Sequence, residues 1–447
     1  MGRIPSCIDG EGIDVFAVES FGALSVSWNV NSSSIDFAGG FRVRWGLAEG
    51  VHDSGQAEVG AQLRDLVVAP LDNDVVHYVV VEALSAGGAV TFTSCEVAAT
   101  PHPLAFGQDH TVEASSGPAQ TRPDLACNRE GDHLYLAWEE QGAIVLAQST
   151  DFGDTWRALE LVGPTGASPS LAVREAVVDP EQGTVVEPES LLLAWEAAGE
   201  IVLVRYFPAE DRFAEAYLLD SGTRPDVAIG PDAVHVVYLD ATGAVSHSGS
   251  NDGGATFLSP SVLSSGTSEA GAPVADVDQL TGDVHAGWHA IQGAGDTNVF
   301  AAASLSEGTS FGGAVRIDDD TMGLNQLNLS LAADERSGRV YATWEDRRGG
   351  ANVFFTWSDD QGASWQPNID VGAGLGGDQF RPRAVVDVAR NVYVVFQDTT
   401  SGQRPVFTRF NSEGSFDPPL APSSVAGTGG VSGDRPAVAA DRYGTVY

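Results

Sequence analysis

The sequence predicts an all-β chain in two parts, a two-sheet sandwich followed by a ring of repeated four-stranded sheets. Three observations carry that reading. Apolar residues fall in many short runs bounded by Gly, Asn, Asp and Pro, and no stretch keeps a helical period. From residue 121 onward a strand-opening hexapeptide returns at intervals of about 50 residues. At 447 residues with 52 glycines, the chain exceeds one ordinary domain and is rich in turn-formers.

The charge is lopsided, with 61 acidic against 23 basic residues and a formal net charge of −38. Every basic residue is arginine; lysine does not occur. Such a field repels phosphate backbones, so nucleic acid is excluded as an expected partner. No apolar run reaches the ~18 residues of a membrane span. The acids are scattered, which fits solubility or a saline habitat better than calcium binding. Neither metal nor cofactor is expected.

Cys7 and Cys95 bracket the first part and could pair, which would suit an oxidising compartment; Cys127 is then left as a small buried residue. The opening MGRIPSCIDG lacks the apolar core of a signal peptide, and the closing DRYGTVY stops inside an expected strand. The chain reads as a segment of a longer secreted or cell-surface protein, truncated at its C-terminus.

In residues 8–102 strands are expected at LSVSWNV (24–30), FRVRWG (41–46), VVHYVVVEAL (75–84) and AVTFTSCEV (89–97), with Trp28 and Trp45 in the core. Short strands in so small a domain suit a sandwich. LDNDVVHYVVVEALSAGG (71–88) resembles the fibronectin type III signature. The resemblance implies a spacer or adhesion module, with Tyr78 as a corner tyrosine tied to backbone through its hydroxyl. Pro101 and Pro103 mark a linker.

The second part, 104–447, repeats TRPDLA (121–126) as ASPSLA (167–172), TRPDVA (223–228), GAPVAD (271–276), LNLSLA (327–332), FRPRAV (380–385) and DRPAVA (434–439). A second strand follows each of the first six, ending in Trp138, Trp195, Tyr238, Trp288, Trp344 and Phe396. A third strand, a polar turn and a fourth strand complete the unit. Four strands at this period are the signature of a β-propeller blade. The count gives six complete blades and a truncated seventh. DHTVEAS (109–115) is expected to supply a fourth strand to the closing blade, which would remove an open sheet edge.

The third-to-fourth-strand turn carries its own pattern. STDFGDTW (149–156), SNDGGATF (250–257) and SDDQGASW (358–365) place Ser, Asp, Gly and an aromatic at the same offsets. These are Ser149, Asp151, Gly153 and Trp156; Ser250, Asp252, Gly254 and Phe257; and Ser358, Asp360, Gly362 and Trp365. SLSEGTSF (304–311) and YFPAEDRF (206–213) are weaker copies. The short carboxylate can accept backbone N–H groups of its own turn, and glycine supplies the positive φ. The pattern resembles the Asp-box, or BNR repeat, of sialidase-type propellers, which implies a structural role for these residues.

Sialidases hold the substrate carboxylate with three arginines, attack with a Tyr–Glu pair and use an aspartate acid/base. No tyrosine matches that nucleophile, and Arg3-Ile4-Pro5 lies too far upstream of Ser149 to be the Arg-Ile-Pro of the family. Arg122, Arg224, Arg381 and Arg435 instead share one register of the innermost strand, where they could bind a carboxylate in the central channel. Asp124 and Asp226 follow two residues on, along the same strand face. The competing reading is that these arginines pair with neighbouring acids. GTSFG (308–312) lacks the strand-to-helix context of a nucleophile elbow. His285 and His289 on one strand stand ~13 Å apart, too far to share a metal. Two functions remain: a non-catalytic scaffold for a glycan or extracellular protein ligand, or a sialidase-like exo-glycosidase acting on terminal acidic sugars.

Overall fold

In the computed structural model, the described residues form strands throughout, with one 3-10 turn at Pro208–Glu210. The structure describes residues 5–447 except 9–11, 21, 103–111, 113–119, 160–164, 179–183, 266–267, 292–294, 335–337, 388–389, 401–403, 411–415, 418–435 and 442–443. Two compact units emerge, one from residues 1–107 and one from most of residues 108–447. The expected closing strand at 109–115 lies, apart from Val112, outside the described residues.

The first unit is a sandwich. One sheet orders Ser6–Cys7, Ile13–Ser20, Ala23–Val30 and Asp65–Val68; the other orders Gly55–Val59, Gly40–Gly46, His77–Leu84 and Val90–Thr93, with Val97–Ala99 also on His77–Leu84. Inward residues of both sheets share one core around Trp28, Phe41, Val79 and Val81, all buried. Trp45 packs at its margin. Cys7 and Cys95 are disulfide-bonded. The Tyr78 ring is only half-buried, and no hydrogen bond of its hydroxyl is seen among the described residues.

The second unit is built of antiparallel sheets, one per repeat. The first runs Gln120–Cys127, Leu134–Glu140, Ala143–Ser149, Arg157–Leu159 in spatial order. The second takes Ala167–Arg174, Ser190–Ala197 and Glu200–Phe207, then borrows the start of Tyr217–Ile229, whose remainder opens the third sheet. Val234–Asp240, Val245–Ser250 and Ser261–Val262 complete that third sheet. The fourth and fifth run from Ser268–Val277 to Val315–Arg316 and from Gln326–Ala333 to Ile369–Asp370, each four-stranded. The sixth has three described strands, Gln379–Val386, Val392–Asp398 and Arg404–Phe410, with a lone Phe410–Phe416 bridge where a fourth would stand. Residues 439–441 pair with 444–447, bridged at Ala440 and Val446. This pair packs on the first sheet, where the Cys127 thiol donates to the Ala440 carbonyl at 3.3 Å.

The apolar clusters lie between successive sheets. Tyr135 and Leu146 of the first sheet pack with Leu191 and Trp195 of the second, and Val353 and Phe355 of the fifth with Val394 and Phe396 of the sixth. The second-strand aromatics Trp288, Trp344, Tyr238 and Phe396 are fully buried. Stacking sheets face to face in this way removes both faces of each from water, which is what a propeller does with sheets too small to be stable alone.

The turns are closed by their own side chains, and those of the third, fourth and fifth sheets rest on the sheet before. Ser250 Oγ donates to Asp252 at 2.8 Å and accepts from Gly254 N at 2.9 Å, while Asp252 accepts from Thr256 N and Oγ1 at 2.8 and 2.6 Å. The turns at Ser149 and Ser358 repeat these bonds, and Ser304 and Ser306 form a variant with serine in the aspartate place. Gly254, at φ +83°, is where the turn meets the second sheet: a Cβ there would lie 2.9 Å from Leu192 Cδ2. A second device closes the first hairpin. The eighth residue of the repeat is the buried Asn128, Asp278, Asp334, Asp387 or Asp441. The side chains of Asn128, Asp278 and Asp441 cap the turn, and Asp387 accepts from the Tyr393 hydroxyl at 2.8 Å.

Candidate functional site

The first strands of all six sheets converge on one small axial cavity. Its lining includes Arg122, Asp124, Ser168, Arg224, Asp226, Asn328 and Arg383, over walls of Pro123, Pro169, Pro225, Pro273, Val274 and Leu329. Each first strand is bulged at this point: the ladder skips between Thr121 and Asp124, and likewise in the other five sheets. The bulge is made by a left-handed residue, Arg122, Ser168, Arg224, Asn328 or Arg381, with φ between 50° and 54°. For non-glycine residues that conformation is costly and persists only where surrounding structure enforces it. The following proline closes off a right-handed alternative at four of the five, since it disfavours the α region before it.

Arg122 donates to Glu139 at 2.9 Å and to Ser168 Oγ at 3.2 Å, so this arginine is held by a neighbouring acid. Asn328 occupies the same register and donates to Glu345 at 3.0 Å. Arg224 is exposed at the cavity, and no acid pairs with it among the described residues. Arg381 shares the left-handed geometry but does not line the cavity; Arg383, two residues on, does. Arg435 lies outside the described residues.

The two aspartates belong to an axial ring of links. Asp124 Oδ2 accepts from Leu171 N at 2.7 Å, Ser170 Oγ from Val227 N at 3.0 Å, Asp226 Oδ2 from Ala275 N at 2.8 Å, and Ser330 Oγ from Ala384 N at 3.2 Å. In each case the fourth repeat residue of one sheet accepts the fifth N–H of the next. Where Val274 interrupts the series, Asp276 bonds Ala333 N at 2.8 Å instead. Burial pushes the Asp124 carboxyl up to about 7; the nearby Asp226 charge adds to this, and the Leu171 N–H and Arg383 oppose it. Burial also raises Asp226, against the Ala275 N–H and Arg383.

The cavity encloses about 70 Å³, room for a few water molecules. Small-molecule sites occupy roughly 300–1,000 Å³. A sugar ring therefore cannot enter, whereas the mouth can present Arg122, Ser168, Arg224 and Asn328 to a ligand resting on it. No tyrosine lines the cavity among the described residues, and no cluster of metal-ligating side chains occurs among them. No described helix is long and apolar enough to cross a membrane. Sequence reasoning missed Arg383, Ser168 and Asn328. The shared hexapeptide register could have found all three, since Ser168 and Asn328 stand with Arg122 and Arg224, and Arg383 stands at the fourth position with Asp124 and Asp226.

Sheets repeated around a common axis, with cores between them, define a β-propeller. No protein-family model matches the sequence, and no curated protein matches it. Among solved structures, the chain is similar to the BP39L lectin of Burkholderia pseudomallei, at 12% identity and TM-score 0.50, covering 92% of this chain and 96% of that one. The six-bladed Aleuria aurantia lectin follows at 10% identity and TM-score 0.41, covering 68% and 98%. The intramolecular trans-sialidase of Ruminococcus gnavus aligns at 12% identity and TM-score 0.40, covering 74% and 90%. At such identities the likeness concerns the fold alone.

Proposed function

We propose that this chain is a secreted or cell-surface propeller scaffold that holds a glycan or an extracellular protein ligand at its axial mouth without altering it. In this reading residues 8–102 are a fibronectin type III-like spacer, and 104–447 an Asp-box propeller of six complete blades with a seventh begun. The paired segments 439–441 and 444–447, seated against the first sheet, support that count. The Cys7–Cys95 disulfide supports an oxidising compartment. That the Burkholderia neighbour is a lectin is in keeping with a carbohydrate ligand.

One observation carries the proposal. The axial carboxylates are occupied by backbone N–H groups of the next sheet, while Arg224 faces the mouth with no acid paired to it among the described residues. Groups that hold the ring together are poorly placed to shuttle protons; an unpaired guanidinium over low-dielectric walls is well placed to bind. Arg122 would assist, and Arg381 and Arg435 share its sequence register. The exo-glycosidase reading has one observation in its favour, the raised Asp124 carboxyl beside Asp226, which is how an acid/base carboxyl is commonly tuned.

Glycan-array binding by the full chain separates the two. The scaffold reading expects saturable binding that weakens at least tenfold in Arg224→Ala, with no release of fluorophore from a fluorogenic sialoside. Turnover of that sialoside, lost in Arg224→Ala, would establish the enzyme; binding unchanged in Arg224→Ala would remove the axial mouth as the site.

A further inference from the structure

His235 and His247 sit side by side on adjacent strands of the third sheet, 1% and 3% exposed. Their rings stack at 5.3 Å, and His235 Nδ1 lies 3.1 Å from His247 Nε2. One ring donates to the other, so at least one is neutral. The fourth sheet's turn, 304–311, rests directly on them. A Cβ at Gly308 would come within 2.6 Å of His235 Cε1 and 3.2 Å of His247 Cε1, and Phe311 packs on His247 at 4.8 Å.

Among the described residues, no acid acts on the pair to balance a charge. The neighbours of the pair along the third sheet are Val234, Val236, Ser246, Ser248 and Gly249. The only carboxylate in the 304–311 turn is Glu307, whose side chain lies against Gly282, with its γ-carbon 2.9 Å from where a Cβ would stand there. His235 is lowered to about 4 by burial alone. His247 is lowered to about 3 by burial and by His235. A proton added at the accepting nitrogen sets two N–H groups against each other and leaves a buried positive charge without a partner.

We propose that the His235–His247 pair is an acid-sensitive latch in the seam between the third and fourth sheets, releasing the 304–311 turn when it is protonated. A neighbouring seam supplies the contrast. Leu192 occupies the equivalent place under Gly254 and cannot titrate. His285 lies under Gly362, 3.7 Å from where a Cβ would stand; burial lowers it to about 4 as well, against Asp278, so the Leu192 seam is the control. The sign follows from proton uptake. Between the ordinary histidine value of ~6.5 and the lowered values, the open seam binds more protons than the closed one. The latch is therefore fully closed above ~6.5 and weakens as pH falls toward 4.

Hydrogen exchange of the full chain at pH 7.5 and 4.5, corrected for intrinsic rates, tests this. Protection at 304–311 is expected to fall at least tenfold more than at 250–257, the turn that rests on Leu192. The double variant His235→Leu, His247→Phe is expected to abolish that difference. Equal loss at both turns would overturn the proposal. So would a full acid response in the double variant. The comparison of turns in the wild type stands even if the variant misfolds.

Discussion

Ser250 shows how much one buried hydroxyl can do. It donates to Asp252 and accepts from Gly254, at 1% exposure. Ser250→Ala leaves the Gly254 N–H without a partner in a closed turn and is expected to cost about 1–2 kcal/mol, read as a lowered Tm. Gly254→Ala is expected to cost more, since it adds a strained φ of +83° to a collision with Leu192. Asp124 makes a pH-dependent prediction. Its carboxyl is raised in the fold to about 7, so it favours folding below its ordinary value of ~3.9 and loses that contribution as pH rises to about 7. Asparagine keeps the acceptor for Leu171 N but carries no charge. Asp124→Asn should therefore gain stability relative to wild type between pH 4 and 8.5, in thermal melts across that range; a constant difference would contradict the burial argument.

At the scale of elements, strand positions and the Ser–x–Asp–x–Gly turns were legible because both are local. Alternation fixes a strand from its own residues, and the turn bonds close within eight residues. What the sequence hid depends on neighbours distant in the chain. The Leu171 N–H that occupies Asp124 belongs to the next repeat, so two aspartates in an apparent acid register are inter-sheet links. The left-handed residue before proline was also hidden, since no propensity favours arginine there. The recurrent eighth-residue Asp or Asn could have been read by extending the hexapeptide alignment two positions. In the first unit the Cys7–Cys95 bond spans 88 residues, and its reduction is expected to cost about 4–5 kcal/mol of unfolding free energy. Denaturant melts with and without reductant, followed by Trp28 and Trp45 fluorescence, would check that figure.

At the scale of the whole molecule, a chain of net charge −38 gathers Arg122, Arg224 and Arg383 around one axial cavity. Six first strands meet there, so any ligand at the mouth touches several sheets and gains from their mutual rigidity. Repetition supplies the ring, and Arg224, at the register it shares with Arg122, faces the axial cavity with no acid paired to it among the described residues. The most direct measurement is to incubate the full chain with a mixed neutral and acidic glycan pool and analyse bound and free fractions by mass spectrometry. The scaffold account predicts a subset retained by wild type, released by Arg224→Ala, and recovered with unchanged mass. Shortened glycans, or a bound fraction indifferent to Arg224, would contradict it.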